Sequence, residues 1–358
     1  MGDLLFSIIN LSRHLEIDAS EAINQANHKF VKRFRLMEKE IAKDKKDLDN
    51  LSPEELEEFR VKINRMGRLK RLFIGILTFF AILIILSFWL VPLSITNIPR
   101  IIPNKNLKIY LGSISNKMGS AAVASITTAL KILHKLEWDF QIPKDVNTET
   151  WYIAMSNHQS WADIFILLAA GHKKIPLLKF FMKKELQWIP IIYLVHKTVD
   201  MPFLNRHSRA QILANPELKR VDYENAKKAA KRFSRNPSTA FSFAEGTRFT
   251  FEKHSAQESP YSNLLKPKVG ALAIALSGMP QVNTLVDFTV MYSSEKRSTW
   301  DFLCGDLNKA KVVAKTYALP ENLKNRSFEE EEDYRKSFQK FVDAIWLEKQ
   351  QTIKDLEL

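Results

Sequence analysis

Apolar side chains recur at spacings of three and four from Leu4 to Ile41: Leu4, Leu5, Ile8, Ile9 and Leu15, then Ala22, Ile23, Ala26, Phe30, Phe34 and Met37. That period predicts helix with one apolar face. In "SPEELEEF", Ser52 stands as an N-cap, Pro53 sits in the first turn and Glu55 completes a capping box, so a further helix starts there. The period then disappears. From Leu72 to Ile95, "LFIGILTFFAILIILSFWLVPLSI" carries no charged side chain. At ~1.5 Å per helical residue, the part before Pro92 is about 30 Å long, the thickness of a bilayer core. It reads as a membrane anchor. A second, amphipathic helix rich in small residues is predicted over 109–136. Beyond Trp138 the pattern changes again: "TWYIAMS", "TAFSFAEG", "TLVDFTVMY" and "AKVVAKTYAL" read as strands, and "WADIFILLAAG", "VDYENAKKAAKRFSR", "KVGALAIALSG" and "EEDYRKSFQKFVDAIWLEKQ" as helices. This alternation predicts an α/β fold, a mixed sheet flanked by helices. The expected divisions are a helical module over 1–66, a pair of anchoring helices over 67–137 and an α/β domain over 138–358.

Charge narrows the partners. Lys and Arg total 53 against 40 Asp and Glu, a formal net charge of +13, and such an excess attracts phosphates, nucleic acid or acidic lipid surfaces. The single cysteine, Cys304, excludes a disulfide framework and a multi-cysteine zinc site, and it suits a reducing compartment. Asp3, Arg13 and Glu16 in the first turns break the basic-then-apolar order of a secretory leader. Arg65, Arg68, Lys70 and Arg71 place the upstream flank of the apolar run in the cytoplasm if the run spans. Arg100, Lys105 and Lys108 follow it, so the bias does not force a crossing, and two helices lying in one leaflet are the alternative.

The first candidate chemistry is "MSNHQSWADIF". A strand that runs into a loop and then a helix start delivers polar side chains to the carboxyl edge of a sheet, a common place for sites in α/β proteins. His158 falls in the loop and Asp163 in the first helical turn. An aspartate bonded to one ring nitrogen leaves the other to take a proton from a hydroxyl, which is worth roughly 10²- to 10⁴-fold in rate. The plainer reading makes Asn157 a cap, His158 a satisfied turn residue and Asp163 a favourable charge at a helix start. In "FSFAEGTRFT", Glu245, Gly246, Thr247 and Arg248 supply a flexible turn and a guanidinium at a strand end, a receptor for a phosphate monoester or simply an exposed turn. Arg206, closing "KKELQWIPIIYLVHKTVDMPFLNR", taken alone reads as a surface charge. Cys304 reads as a buried small side chain, and His172, His196, His207 and His254 as structural or surface residues.

In this order and spacing the motifs resemble the glycerolipid acyltransferase family, whose members include 1-acylglycerol-3-phosphate (lysophosphatidate) acyltransferases. The family's first block, N-H-x-x-x-x-D, matches Asn157, His158 and Asp163. The second is approximated by Lys184, Glu185, Leu186, Ile189, Pro190 and Arg206. The third, F-x-E-G-T-R-S, matches Phe243, Glu245, Gly246, Thr247 and Arg248. Strings such as "SWAD", "DMPF", "EG-x-RFT-x-EK" and "NLL-x-PK" are similar to a proteobacterial inner-membrane branch, from about Leu72 to the C-terminus. Phe249 replaces the third block's serine, and the fourth block's proline is missing from "TLVDFTVMY". The resemblance implies that His158, oriented by Asp163, deprotonates the free hydroxyl of lysophosphatidate for attack on the thioester of acyl-CoA or acyl carrier protein. Asn157, Glu245, Gly246, Thr247 and Arg248, with Arg206, would bind the acceptor. No cofactor or metal is implied beyond the acyl donor as co-substrate, and the implied location is the cytoplasmic face of a bacterial inner membrane, among membrane lipids.

"GDLLFSIINLSRHLEIDASEAINQANHKFVKRFRLMEKE" is similar to the final portion of MazG-type nucleoside triphosphate pyrophosphohydrolases, over residues 2–62. Those enzymes hold magnesium with two pairs of acids, of which only Asp3 remains. One carboxylate cannot build such a site. Asn10, Arg13, Lys29 and Arg33 match family positions and are expected to serve folding or self-association of the N-terminal helices. The competing readings are thus a pyrophosphohydrolase and a non-enzymatic basic membrane-binding protein. Nucleic acid is not expected as a partner, because the lysines are scattered and no recognition motif is present.

Overall fold

The computed structural model describes residues 2–14, 18–44, 46–183, 187–201, 203–204, 215, 217–324 and 332–356. Two helices, α1 (Gly2–His14) and α2 (Ala19–Lys43), take the place of the single helix expected over 4–41. Asp18 supplies the restart: its carboxylate accepts the Ser20 amide at 2.8 Å and its carbonyl accepts the Ala22 amide at 3.0 Å. The capping box at Ser52 forms as read, with the Ser52 amide donating to Glu55 Oε2 at 3.0 Å and the Glu55 amide to Ser52 Oγ at 3.2 Å. It opens α3 (Pro53–Asn97), which runs through Pro92 instead of stopping there. Among the described residues, this is the one helix long and apolar enough to cross a membrane. The chain divides into two compact units, 1–73 and 74–358.

Within the second unit, the end of α3 packs antiparallel to α4 (Lys105–His134), whose start is capped by the Asn104 side chain accepting the Leu107 amide at 3.1 Å. Three polar contacts step down this hairpin. Thr78 Oγ1 lies 2.8 Å from His134 Nε2, Trp89 Nε1 donates to Ser125 Oγ at 3.2 Å, and Thr96 Oγ1 lies 3.2 Å from Ser115 Oγ. Each matches a donor with an acceptor between otherwise apolar surfaces, where an unmatched group would be costly.

The strands are β1 (Glu137–Gln141), β2 (Tyr152–Ser156), β3 (Leu178–Phe180), β4 (Met182–Lys183), β5 (Phe203–Leu204), β6 (Thr239–Phe243), β7 (Thr284–Tyr292) and β8 (Lys309–Ala318). Six form one mixed sheet in the order β1-β8-β7-β2-β6-β3, while β4 and β5 pair with each other. β7, β2, β6 and β3 are parallel, β8 is antiparallel to β7, and β1 is parallel to β8. Central β2 is buried along its whole length because helices cover both faces. Its side chains alternate: Ile153 and Met155 enter one core with Leu272, Leu276 and Trp346, while Tyr152 and Ala154 enter the other with Ile166, Leu167 and Phe302.

The remaining helices among the described residues are α5 (Ala162–Gly171), α6 (Pro190–Thr198), α7 (Glu217–Ala230), α8 (Phe251–Ala256), α9 (Gly270–Gly278), α10 (Thr299–Leu303) and α11 (Glu332–Asp355). α7 and α9 meet so closely that a Cβ at Gly278 would lie 2.5 Å from that of Ala230, which only glycine allows. α11 sends Lys349 into the core, where its ammonium lies 2.9 Å from Asp287 Oδ1 and donates to the Phe288 carbonyl at 2.6 Å. Breaking such a buried pair from one side leaves an uncompensated charge.

Candidate active site

Three neighbouring parallel strands, β2, β6 and β7, deliver their carboxyl ends to one edge of the sheet, and the residues expected from the first and third sequence blocks meet there. β2 ends at Ser156, and residues 157–161 form the loop before α5. Asn157 is fully buried. Its amide donates to the Val290 carbonyl at 2.9 Å and its carbonyl accepts the Val290 amide at 2.8 Å, so the side chain clamps the loop to β7. His158 follows, with its side chain 16% exposed. Its Nδ1–H donates to Asp163 Oδ2 at 2.8 Å, leaving Nε2 as the nitrogen turned to other chemistry. One face of the imidazole lies on Phe243, with ring centroids 3.8 Å apart and planes 13° from parallel.

Asp163 is 0% exposed. Its Oδ2 also accepts the Gln159 amide at 2.7 Å and the Ser160 amide at 3.0 Å, and its Oδ1 accepts the Tyr292 hydroxyl. A buried carboxyl group that accepts from four donors is held in one orientation. The Ser160 hydroxyl reaches across to the Arg297 carbonyl at 2.8 Å, tying the loop to the chain that leaves β7.

The turn after β6 grips the same histidine from the other side. Glu245 Oε1 accepts the His158 amide at 3.2 Å, and the Phe249 amide donates to the His158 carbonyl at 2.7 Å. Both backbone groups of the histidine are therefore engaged by the third block. Glu245 was expected to line the acceptor site, yet it is fully buried, with Oε2 lacking a hydrogen-bond partner. Burial pushes its carboxyl up to about 8, against the pull of the backbone amides of His158 and Leu265 and of Lys349, so it is neutral around pH 7. Asn157 is likewise turned inward, toward Val290. Gly246, Thr247 and Arg248 do reach the surface side of the turn.

Gly246 has a φ of +69°, and a Cβ there would lie 3.2 Å from Lys268 Cδ. Glycine thus permits both the left-handed turn and the close lysine. Lys253 Nζ donates to Thr247 Oγ1 and to the Arg248 carbonyl, each at 2.9 Å, from the first turns of α8, which Thr250 caps. The strings around "RFT-x-EK" and "NLL-x-PK" contain Lys253 and Lys268, which the sequence did not single out; Tyr292 was missed as well, and Phe243, matched in the third block, was given no role. Phe249 contributes its backbone amide, which any residue but proline supplies, so the absent serine leaves the His158 contact intact. Lys184, Glu185, Leu186 and Arg206 lie outside the described residues.

Residues 138–293, from β1 through β7, match the Acyltransferase family. This stretch is an acyltransferase domain. It contains every residue just described around His158 except Arg297 and Lys349. The N-terminal part is similar to different proteins: it is 52% identical over 58 residues to the nucleoside triphosphate pyrophosphohydrolase/pyrophosphatase MazG of Thermotoga maritima, 16% of this chain and 23% of that protein. Against the nucleoside triphosphate pyrophosphohydrolase of Escherichia coli it is 40% identical over 65 residues, 18% of this chain and 25% of the other. The chain spans about a quarter of the length of these curated relatives. Among solved structures, the 1-acyl-sn-glycerophosphate (LPA) acyltransferase PlsC from Thermotoga maritima aligns with a TM-score of 0.47 at 16% identity, over 81% of this chain and 98% of that one.

Proposed function

We propose that the acyltransferase domain moves a fatty acyl group from acyl-CoA or acyl carrier protein to the free hydroxyl of lysophosphatidate or a related lysophospholipid. The observation that carries this reading is the clasp on His158: one ring nitrogen is committed to a buried carboxylate, and both backbone groups are bonded to a turn that exposes Arg248. In this reading Nε2 takes the hydroxyl proton as the oxygen attacks the thioester carbonyl. Collapse of the tetrahedral adduct forms the ester and expels the thiolate, which receives the proton back from the imidazolium. Asp163 orients the ring and stabilises its charged form. The acceptor's phosphate lies on the Gly246–Arg248 turn, shaped by Lys253 and Lys268, with Arg206 completing the cationic set. Glu245 and Asn157 hold the His158 loop from beneath. No metal or other cofactor takes part, and the donor is a co-substrate.

The apolar length of α3, paired with α4, supports attachment to the inner membrane with the site on the cytoplasmic face, where acyl thioesters are found. In this reading the N-terminal helices take no part in acyl transfer. The test is an assay of the purified chain in detergent or liposomes with acyl-CoA, acyl carrier protein thioesters and a panel of lysophospholipids, wild type beside His158→Ala. Acyl transfer falling by roughly 10²- to 10⁴-fold in the variant is expected. Transfer at the parent rate would refute the role given to His158.

A further inference from the structure

The hydrogen bonds around Asp163 are unevenly shared. Oδ2 receives three donors: His158 Nδ1–H at 2.8 Å, the Gln159 amide at 2.7 Å and the Ser160 amide at 3.0 Å. Oδ1 receives the Tyr292 hydroxyl and, among the described residues, no other donor. Tyr292 is the last residue of β7, two positions beyond Val290, which engages Asn157 through both its amide and its carbonyl. One strand end therefore holds the His158 loop before the histidine and the carboxylate that follows it.

Burial, then the adjacent Asp163 charge, raise the Tyr292 hydroxyl well above its ordinary pKa. The O–H is thus a donor at any pH at which the enzyme works. The titratable groups bearing on this arrangement are Arg297, which acts on Tyr292, and Glu245, a neutral carboxyl at pH 7 that feels the Asp163 charge and is itself under Lys349. None of them donates to Oδ1.

We infer that Tyr292 is a positioning residue for acyl transfer, resting on the function proposed above: its hydroxyl fixes the Asp163 carboxylate so that Oδ2 faces the imidazole. Sharing the charge on Oδ1 also limits how strongly the carboxylate holds the imidazolium. Without the hydroxyl, the carboxylate turns more freely and keeps more negative charge for the ring, so the imidazole keeps its proton to higher pH.

The test uses the full chain in detergent, wild type beside Tyr292→Phe, which keeps the ring packing. With acyl-CoA and lysophosphatidate, kcat is expected to fall roughly 10- to 100-fold while KM stays within about twofold, as for loss of a hydrogen bond to a charged group that acts in the chemical step. The acid limb of the kcat–pH profile moves to higher pH. In parallel, diethyl pyrocarbonate modification of the peptide containing His158, read by mass spectrometry across pH, reports the same shift without turnover. Parent-like kcat with a parent-like modification profile would overturn the inference. So would a lowered kcat with an unmoved modification profile, because that is a packing effect. If the wild type transferred no acyl group, the functional reading would fail, while a shifted modification profile would still support the hold of Tyr292 on Asp163.

Discussion

Asp3 and Asp163 occupy the same local position, the first turn of a helix, in two very different regions of one chain. Asp3 stands exposed on α1, where Leu4 is 61% and Phe6 is 70% exposed beside it. Asp163 is fully buried at the start of α5, with donors from a side-chain hydroxyl, an imidazole and two amides. Both favour their helix by charge, yet only Asp163 accepts a hydrogen bond from an imidazole. The difference lies in the surroundings. Parallel strands that converge at one sheet edge surround a carboxylate from several directions, whereas the start of α1 leaves Asp3 exposed among outward apolar residues.

The comparison can be broken at either acid. Asp163→Asn should lower acyl transfer by roughly 10²- to 10⁴-fold with little change in KM, because an amide cannot accept three donors on one atom and stabilise an imidazolium. Steady-state kinetics on folded protein would show it, and a loss below tenfold would mean that the ring is oriented by Phe243 alone.

A middle-sized effect is expected from Glu245→Gln, in stability against pH. The carboxyl is pushed by burial to about 8 from an ordinary 4.5, so its contribution to folding is complete below about 4.5 and drains away as the pH rises toward 8, where the unfolded chain ionises and the fold resists. Denaturant midpoints of the parent should therefore fall relative to those of the variant between these limits. Parallel curves would show that the carboxyl is ionised in the fold. The smallest effect belongs to Asp3→Asn. Acyl transfer should be unchanged and stability should move by less than about 0.5 kcal/mol, as for surface sites generally; a clear fall in activity would join the two regions functionally and undo the contrast.

Much of the fold was legible from local chemistry. The Ser52–Glu55 box formed as read, "TLVDFTVMY" is β7 from its first to its last residue, and the apolar run lies in one helix. β1 was overlooked because "EWDFQ" is short and largely polar, with its burial alternating along an edge of the sheet. β3 was overlooked because three residues carry no period. The apolar length was counted only as far as Pro92, whereas the helix continues through it. At the site, the five-residue step from His158 to Asp163 announced their pairing, since a loop and one helical turn bring the two together. The inward placement of Asn157 and Glu245 could not be read in this way. Polar residues beside a motif look like ligands until the strands that bury them are known, and Tyr292 is 129 positions from the carboxylate it serves.

Strand β2 carries one more consequence. Its five residues are wholly enclosed, bonded on one side to β6 and on the other to β7. Their amide hydrogens can meet heavy water only when the sheet itself comes apart, so their exchange rates gauge the free energy of opening the domain that carries His158. Five consecutive probes, ending two residues before the histidine, would separate a substitution that disables the chemistry from one that loosens its frame.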